Sequence, residues 1–118
     1  MAVSWESTES GAATYIDNAT PTVLYTNAQG AGKIVRIEKL IIANVNAASR
    51  NLTLYKVPSG GSISGDNWKI IYSRAIDLQG EEDVRECAGL LLDNGDSLRA
   101  LASAASSLRF ELSLAKES

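Results

Sequence analysis

The sequence predicts an all-β fold: a single antiparallel β-sandwich, or jelly-roll-like domain, carrying an N-terminal arm. Three observations point there. Apolar residues recur at every second position, most cleanly in Ser107–Lys116, where Leu108, Phe110, Leu112 and Leu114 alternate with Arg109, Glu111 and Ser113. Turn-forming residues punctuate the chain at intervals of about 8–12 residues, the spacing of sandwiches and barrels. The 118 residues, 45% hydrophobic and 21% charged, match one globular domain with one core.

The first seventeen residues, rich in Ser, Thr, Ala and Glu, sustain neither a period of two nor one of 3.6. They read as an arm over 1–18 that orders by docking on something, ahead of a sandwich domain over 19–118. Trp5 is out of place in a solvated tail, so it is expected to anchor on the protein's own surface or on a neighbouring subunit. Thr22–Thr26 is β-rich and follows Pro21, and Asn27–Lys33 is turn chemistry. Ile34–Val45 is a long β-branched run whose alternation breaks at Lys39. A bulge there, or burial of both faces of its second half, accounts for the break. Asn46–Arg50 turns the chain into Asn51–Val57, with Leu52 and Leu54 on one face and Thr53 and Tyr55 on the other. Pro58, with no ladder donor to offer, ends that strand.

A glycine-rich loop then runs to Asn67, and Trp68–Leu78 resumes β character. Gln79–Asp83 reads as an acidic turn and Val84–Leu92 as one strand or two short ones. Asp93–Asp96 is a turn with Gly95 at the position that takes positive φ. Ser97–Ser103 and Ser107–Lys116 close the list of strands, seven or eight in all. The alanines and leucines of Ser97–Leu112 also favour helix, but two short period-two segments flanking a small-residue turn fit a β chain better.

The residues argue against chemistry. With one cysteine, Cys87, and no histidine, the chain holds no internal disulfide, no Cys–His pair, no Ser–His–Asp triad and none of the usual zinc ligand sets. Cys87 reads as a small buried hydrophobe. Gly60 and Gly65 carry the spacing of a phosphate-binding loop, but Asp66 and Asn67 stand where that loop needs Lys and Ser or Thr. Asp93 and Asp96 lack the downstream bidentate carboxylate of a calcium loop until Glu111. Glu81, Glu82, Asp83 and Glu86 are consecutive or nearly so, the pattern of a solvated run rather than of two carboxylates facing each other across a sugar. No enzyme activity, catalytic residue, cofactor or metal is expected.

A net charge of −3 gives no summed positive field, so no nucleic-acid or anionic-membrane partner is expected. No apolar run approaches the roughly 18 residues of a membrane span, and the start of the chain lacks the pattern of a signal peptide. The chain therefore reads as soluble and made in a cytosol.

The order of four short segments adds a resemblance. Leu24-Tyr25-Thr26, Gly32-Lys33, Leu54 to Gly61 and Leu92 to Ala100 resemble, in sequence and spacing, a family of small virion β-sandwich proteins of tailed bacteriophages, over about Thr20 to Lys116. The chain departs from the family's pattern at Asn27–Lys33, where a Val-Pro-Ala-Gly-Lys type of segment is usual, and in the charged stretch Gly80–Glu86. The resemblance implies a β-sandwich or jelly-roll domain used as a structural part of a phage particle, whether in capsid decoration or in a tail or fibre. One compact domain with a Trp-bearing arm suits a capsid decoration (cement) protein first of all. It would sit on the capsid exterior, bind the major capsid protein and form a homotrimer. The alternative is a tail, fibre or head–tail connector module that binds carbohydrate. Partner contacts are expected at Val3, Trp5 and Tyr15 in the arm and at Trp68 and Tyr72, the last two being candidate stacking surfaces for sugar rings.

Overall fold

The computed structural model describes residues 5–10, 15–28, 30, 32–46, 48–63, 68–77, 80–104 and 107–117. Nine strands form among them: β1 (Trp5–Ser10), β2 (Thr22–Thr26), β3 (Val35–Asn44), β4 (Arg50–Val57), β5 (Lys69–Ile76), β6 (Glu81–Asp83), β7 (Leu91–Leu92), β8 (Ser97–Ala102) and β9 (Leu108–Glu117). One sheet runs β1-β9-β3-β6, with β7 also pairing β3, and the other runs β2-β8-β4-β5. All pairings are antiparallel. The chain passes back and forth between the sheets, and β9 returns to lie between β1 and β3. This is the strand order of a jelly roll.

The core fills the space between the sheets. Leu108, Phe110, Leu112 and Leu114 of β9, Leu52 and Leu54 of β4, and Leu98, Ala100 and Ala102 of β8 are all buried, each set at every second position. The break in β3 is a bulge. The β3–β9 register shifts between Ile37 and Lys39, so two residues of β3 face one of β9 and the inward parity changes. Val35 and Ile37 point into the core before the bulge, and Leu40, Ile42 and Asn44 after it. One bulge thus keeps ten residues of strand facing a single core.

Three expectations fail locally. The acidic run is not a turn: Glu81–Asp83 is β6, paired with Ile41–Ala43 at the sheet edge. A strand with β3 on one side only tolerates charged residues, which also block further pairing. Val84–Leu92 is not mainly strand. A 3-10 turn, Arg85–Cys87, precedes the two-residue β7, and Gly89, at φ +83, lets the chain fold back on β3 through the Gly89 N–H to Ile37 O bond. Tyr55, expected to face outward, is buried.

The stretch anticipated as an arm is tied into the fold twice. β1 adds a strand to β9, from Trp5 opposite Glu117 to Ser10 opposite Leu112. Ile16 is fully buried in the core. Its N–H donates to Leu108 O at 2.8 Å in one sheet, and Ala102 N–H in the other donates to Asp17 O at 2.9 Å. The chain therefore crosses between the sheets at Ile16 and plugs that end of the sandwich.

Candidate functional site

The segments that carry the resemblance converge at the opposite end. Leu24–Thr26 lies in β2, Gly32-Lys33 precedes β3, Leu54–Gly61 ends β4 and its turn, and Leu92–Ala100 joins β7 to β8. Asn27, fully buried just after β2, binds them together. Its Nδ2 donates to Lys33 O at 2.9 Å and to Leu92 O at 2.8 Å. Its backbone N–H donates to Asp96 O at 2.9 Å, and its carbonyl accepts Gly95 N–H at 2.7 Å. A buried amide whose groups all find partners fixes loops more firmly than apolar contact does, because each lost bond leaves a desolvated group unpaired.

Asp96 does the same for the glycine loop. The carboxylate is buried, and its Oδ1 accepts Ser59 N–H at 3.1 Å while Oδ2 accepts Asp93 N–H at 3.0 Å. Gly95 has φ +89, and a Cβ there would overlap Ser59 Oγ. Only glycine fits, both for its backbone angle and for the approach of the neighbouring loop. Both Asp96 oxygens thus serve as anchors for backbone donors of the neighbouring turns. Among the described residues no group of three or more His, Cys, Asp or Glu gathers where a metal ion would bind. The turn at Ser59 meets a carboxylate, the opposite of a phosphate cradle.

This end displays Trp68. Its φ is +65, in the left-handed region that costs a non-glycine residue about 1–2 kcal/mol. The strained turn is pinned by Lys56 N–H to Trp68 O at 2.9 Å and by Trp68 Nε1–H to Ser62 O at 3.1 Å. The side chain is 42% exposed. Backbone strain on an exposed, rigidly held aromatic is the kind of outlier that marks a contact residue.

The other expected contact residues lie apart. Tyr15, 45% exposed, pairs with Arg109 at the plugged end, with the Arg109 guanidinium over its ring at 5.7 Å. Trp5 is placed by its backbone in β1, and Tyr72 by its backbone in β5; Val3 lies outside the described residues. Tyr15 and Trp68 therefore do not form one site.

Two further features escaped the sequence reading. On the outer face of β3, a cavity of about 220 Å³ is lined by Ile41, Ala43 and Val45, with Glu81 of β6 and Arg109 and Glu111 of β9 also on it. Along the open side, Arg74 of β5 reaches Glu82 of β6 at 3.3 Å and Glu86 of the 3-10 turn, with both Nη groups engaged by the Glu86 carboxylate. The Arg74 hydrogen bonds hold the Glu86 carboxyl down at about 2. Cys87, beside it, is buried, and burial first, then the Glu86 charge, pushes its thiol up to about 12. A thiol so placed is inert, which agrees with its reading as a small hydrophobe.

No family model and no curated protein matches the chain. Among solved structures, a chain in the structure of infectious bursal disease virus, Gt strain, is similar with a TM-score of 0.47 and 12% identity over 96% of this chain and 32% of that one. The present chain thus spans about a third of its length, and the fold rests on the strand order rather than on this likeness.

Proposed function

We propose that this chain is a structural protein of a tailed-phage virion, a decoration protein that binds the outer surface of the major capsid protein lattice and stabilises it as a homotrimer. One observation carries the reading. The four segments that resemble the phage family are scattered over about seventy-five residues of sequence, yet they meet at one end of the sandwich around Asn27 and Asp96. Their shared order has a physical cause in this fold, which independent strand-and-turn fragments would not need. A jelly roll also suits the task, since the architecture serves viral capsids and lectins alike. The role requires a rigid body and contact surfaces, not a reacting group.

The test is placement. Virions that contain this chain should show it by mass spectrometry in purified particles, and a density map should put it outside the capsid shell. A chain absent from particles, or found only in the tail, overturns the decoration reading. Deleting residues 1–10 removes β1 and spares Ile16, so the variant should fold. If the arm clamps a neighbour, that variant loses capsid occupancy.

The exposure of Trp68 favours one second reading, a tail, fibre or connector module that stacks a sugar ring on the indole. Glycan binding abolished by Trp68→Ala in a folded chain would select it.

A further inference from the structure

We propose that Asn94 is a site of spontaneous deamidation, gated by the hydrogen bonds that gather around Asn27. The chain has seven asparagines, and Asn94 is the one followed by glycine. Glycine has no Cβ to screen its backbone nitrogen. Asn94 is exposed to water in the turn Asp93–Asp96. In the reaction the Gly95 nitrogen gives its proton to hydroxide and bonds to Asn94 Cγ, whose Nδ2 leaves as ammonia. Both partners belong to one chain, so the attack is intramolecular and needs no catalyst. Water then opens the cyclic imide at either carbonyl. One opening yields aspartate, the other isoaspartate, in which the backbone runs through the former side chain. Water is consumed and ammonia released, and nothing is oxidised or reduced.

The folded loop end holds both reacting groups by separate bonds. Gly95 N–H donates to the carbonyl of the buried Asn27 at 2.7 Å, so the nucleophile is committed there. Asn94 Oδ1 accepts Gly30 N–H at 3.0 Å. Asp96 N–H closes the turn on Asp93 O at 3.0 Å, and Asn27 N–H donates to Asp96 O at 2.9 Å. Attack on Cγ requires the Gly95–Asn27 bond to break, and the Asn27 amide, tied to Lys33 O and Leu92 O, keeps that acceptor in place. The reaction therefore proceeds from a locally opened loop end. The product does not refit. Isoaspartate lengthens the main chain inside a turn where even a Cβ on Gly95 would overlap Ser59. Either product also adds a carboxylate between Asp93 and the buried Asp96. A transient opening thus becomes a lasting loosening of the end that carries Trp68.

This inference stands without the virion reading and is tested on the purified full chain, incubated at mildly alkaline pH. Cleavage after Arg85 and Arg99 releases Glu86–Arg99, in which Asn94 carries the only side-chain amide. Its conversion is read from that peptide by mass, and the isoaspartyl share by methyltransferase labelling. In the urea-unfolded chain, Asn94 should convert ahead of the other asparagines and at least about tenfold faster than in the native chain, because no opening is then required. Asn27→Ala leaves Lys33 O and Leu92 O without their donor and should raise the rate in the folded chain about tenfold, the scale of one lost buried bond. Where circular dichroism shows that variant unfolded, urea below the midpoint replaces it, and the rate in the native chain should climb with urea. The modified chain should unfold at lower urea than the unmodified one. An Asn94 that stays intact in urea, or converts no sooner than the other asparagines, overturns the site. A native rate equal to the unfolded one, or unmoved by Asn27→Ala in a folded chain or by urea below the midpoint, overturns the gate.

Discussion

The two ends of the sandwich are tied by the same device and built from different material. At the loop end, the Asn27 amide reaches Lys33 O and Leu92 O. At the plugged end, the Asn44 amide, also buried, reaches Ala48 O at 2.9 Å and Ile76 O at 3.1 Å, while its Oδ1 accepts Asn46 N–H at 2.9 Å. Each asparagine bridges one sheet to a loop or strand of the other. The loop end is tied by the polar groups of Asn27 and Asp96, and its surface carries a tryptophan. The plugged end adds an apolar seal, Ile16, and its surface carries the cavity. A jelly roll is open at both ends by construction, and here a buried asparagine ties each end while Ile16 seals one of them as well.

The largest expected effect falls on the seal. Ile16→Ala should cost about 2–5 kcal/mol, the range for a buried isoleucine truncated in a packed core, read as a shift of the urea midpoint. Ile16→Val should cost about 1 kcal/mol. If Ile16→Ala costs no more than a surface change, the segment before β2 is not a plug and the contrast between the ends disappears.

The next effect tests the polar end. Gly95→Ala combines left-handed strain with overlap on Ser59, and each contributes about 1–3 kcal/mol. Adding Ser59→Gly removes the overlap and leaves the strain. The double variant should recover about 1 kcal/mol, and the coupling between the two sites measures how closely the loops pack. Purely additive costs would mean that the two loops do not touch.

How much of this was legible depends on whether the cause of a feature is local. The Gly95 turn, the bulge at Lys39 and the period-two face of β9 each follow from a few adjacent residues, and all are where the sequence puts them. Ile16 is a lone apolar residue in a patternless stretch. Its burial depends on Leu108 and Ala102, about ninety residues away, and no local period announces that. β6 was missed because three carboxylates disfavour a strand locally, and the open ladder of β3 overrides the preference. The conformation of Trp68 left no signal, since a left-handed tryptophan has no sequence signature. The meeting of Glu81 and Glu111 around one cavity is a matter of strand order alone.

Between the ends, Arg74 closes the open side of the sandwich. Arg74→Ala should cost about 1 kcal/mol or less at neutral pH, because Arg74 and both its partners are a third or more exposed and solvent screens them. The pH dependence has a definite sign. The Glu86 carboxyl is held at about 2, below its ordinary value, so its contribution is complete above the unfolded pKa of about 4.3 and fades as pH falls toward 2. The native chain and Arg74→Ala should therefore converge in stability at acid pH and in high salt. A gap that persists at pH 2 would assign the loss to packing of the arginine stem rather than to charge.

The smallest effect bears on what the loop end is for. If the turn at Trp68 holds a left-handed backbone, the cost belongs to any L side chain there, and glycine escapes it. Trp68→Gly should be about 0.5–1 kcal/mol more stable than Trp68→Ala, the relief of strain exceeding the extra entropy of an unfolded glycine. Both variants lose the same indole and the same Nε1–H bond to Ser62, so their difference isolates the backbone. Equal stabilities would mean that the turn relaxes once the indole is gone, leaving the tryptophan to impose the conformation rather than to tolerate it.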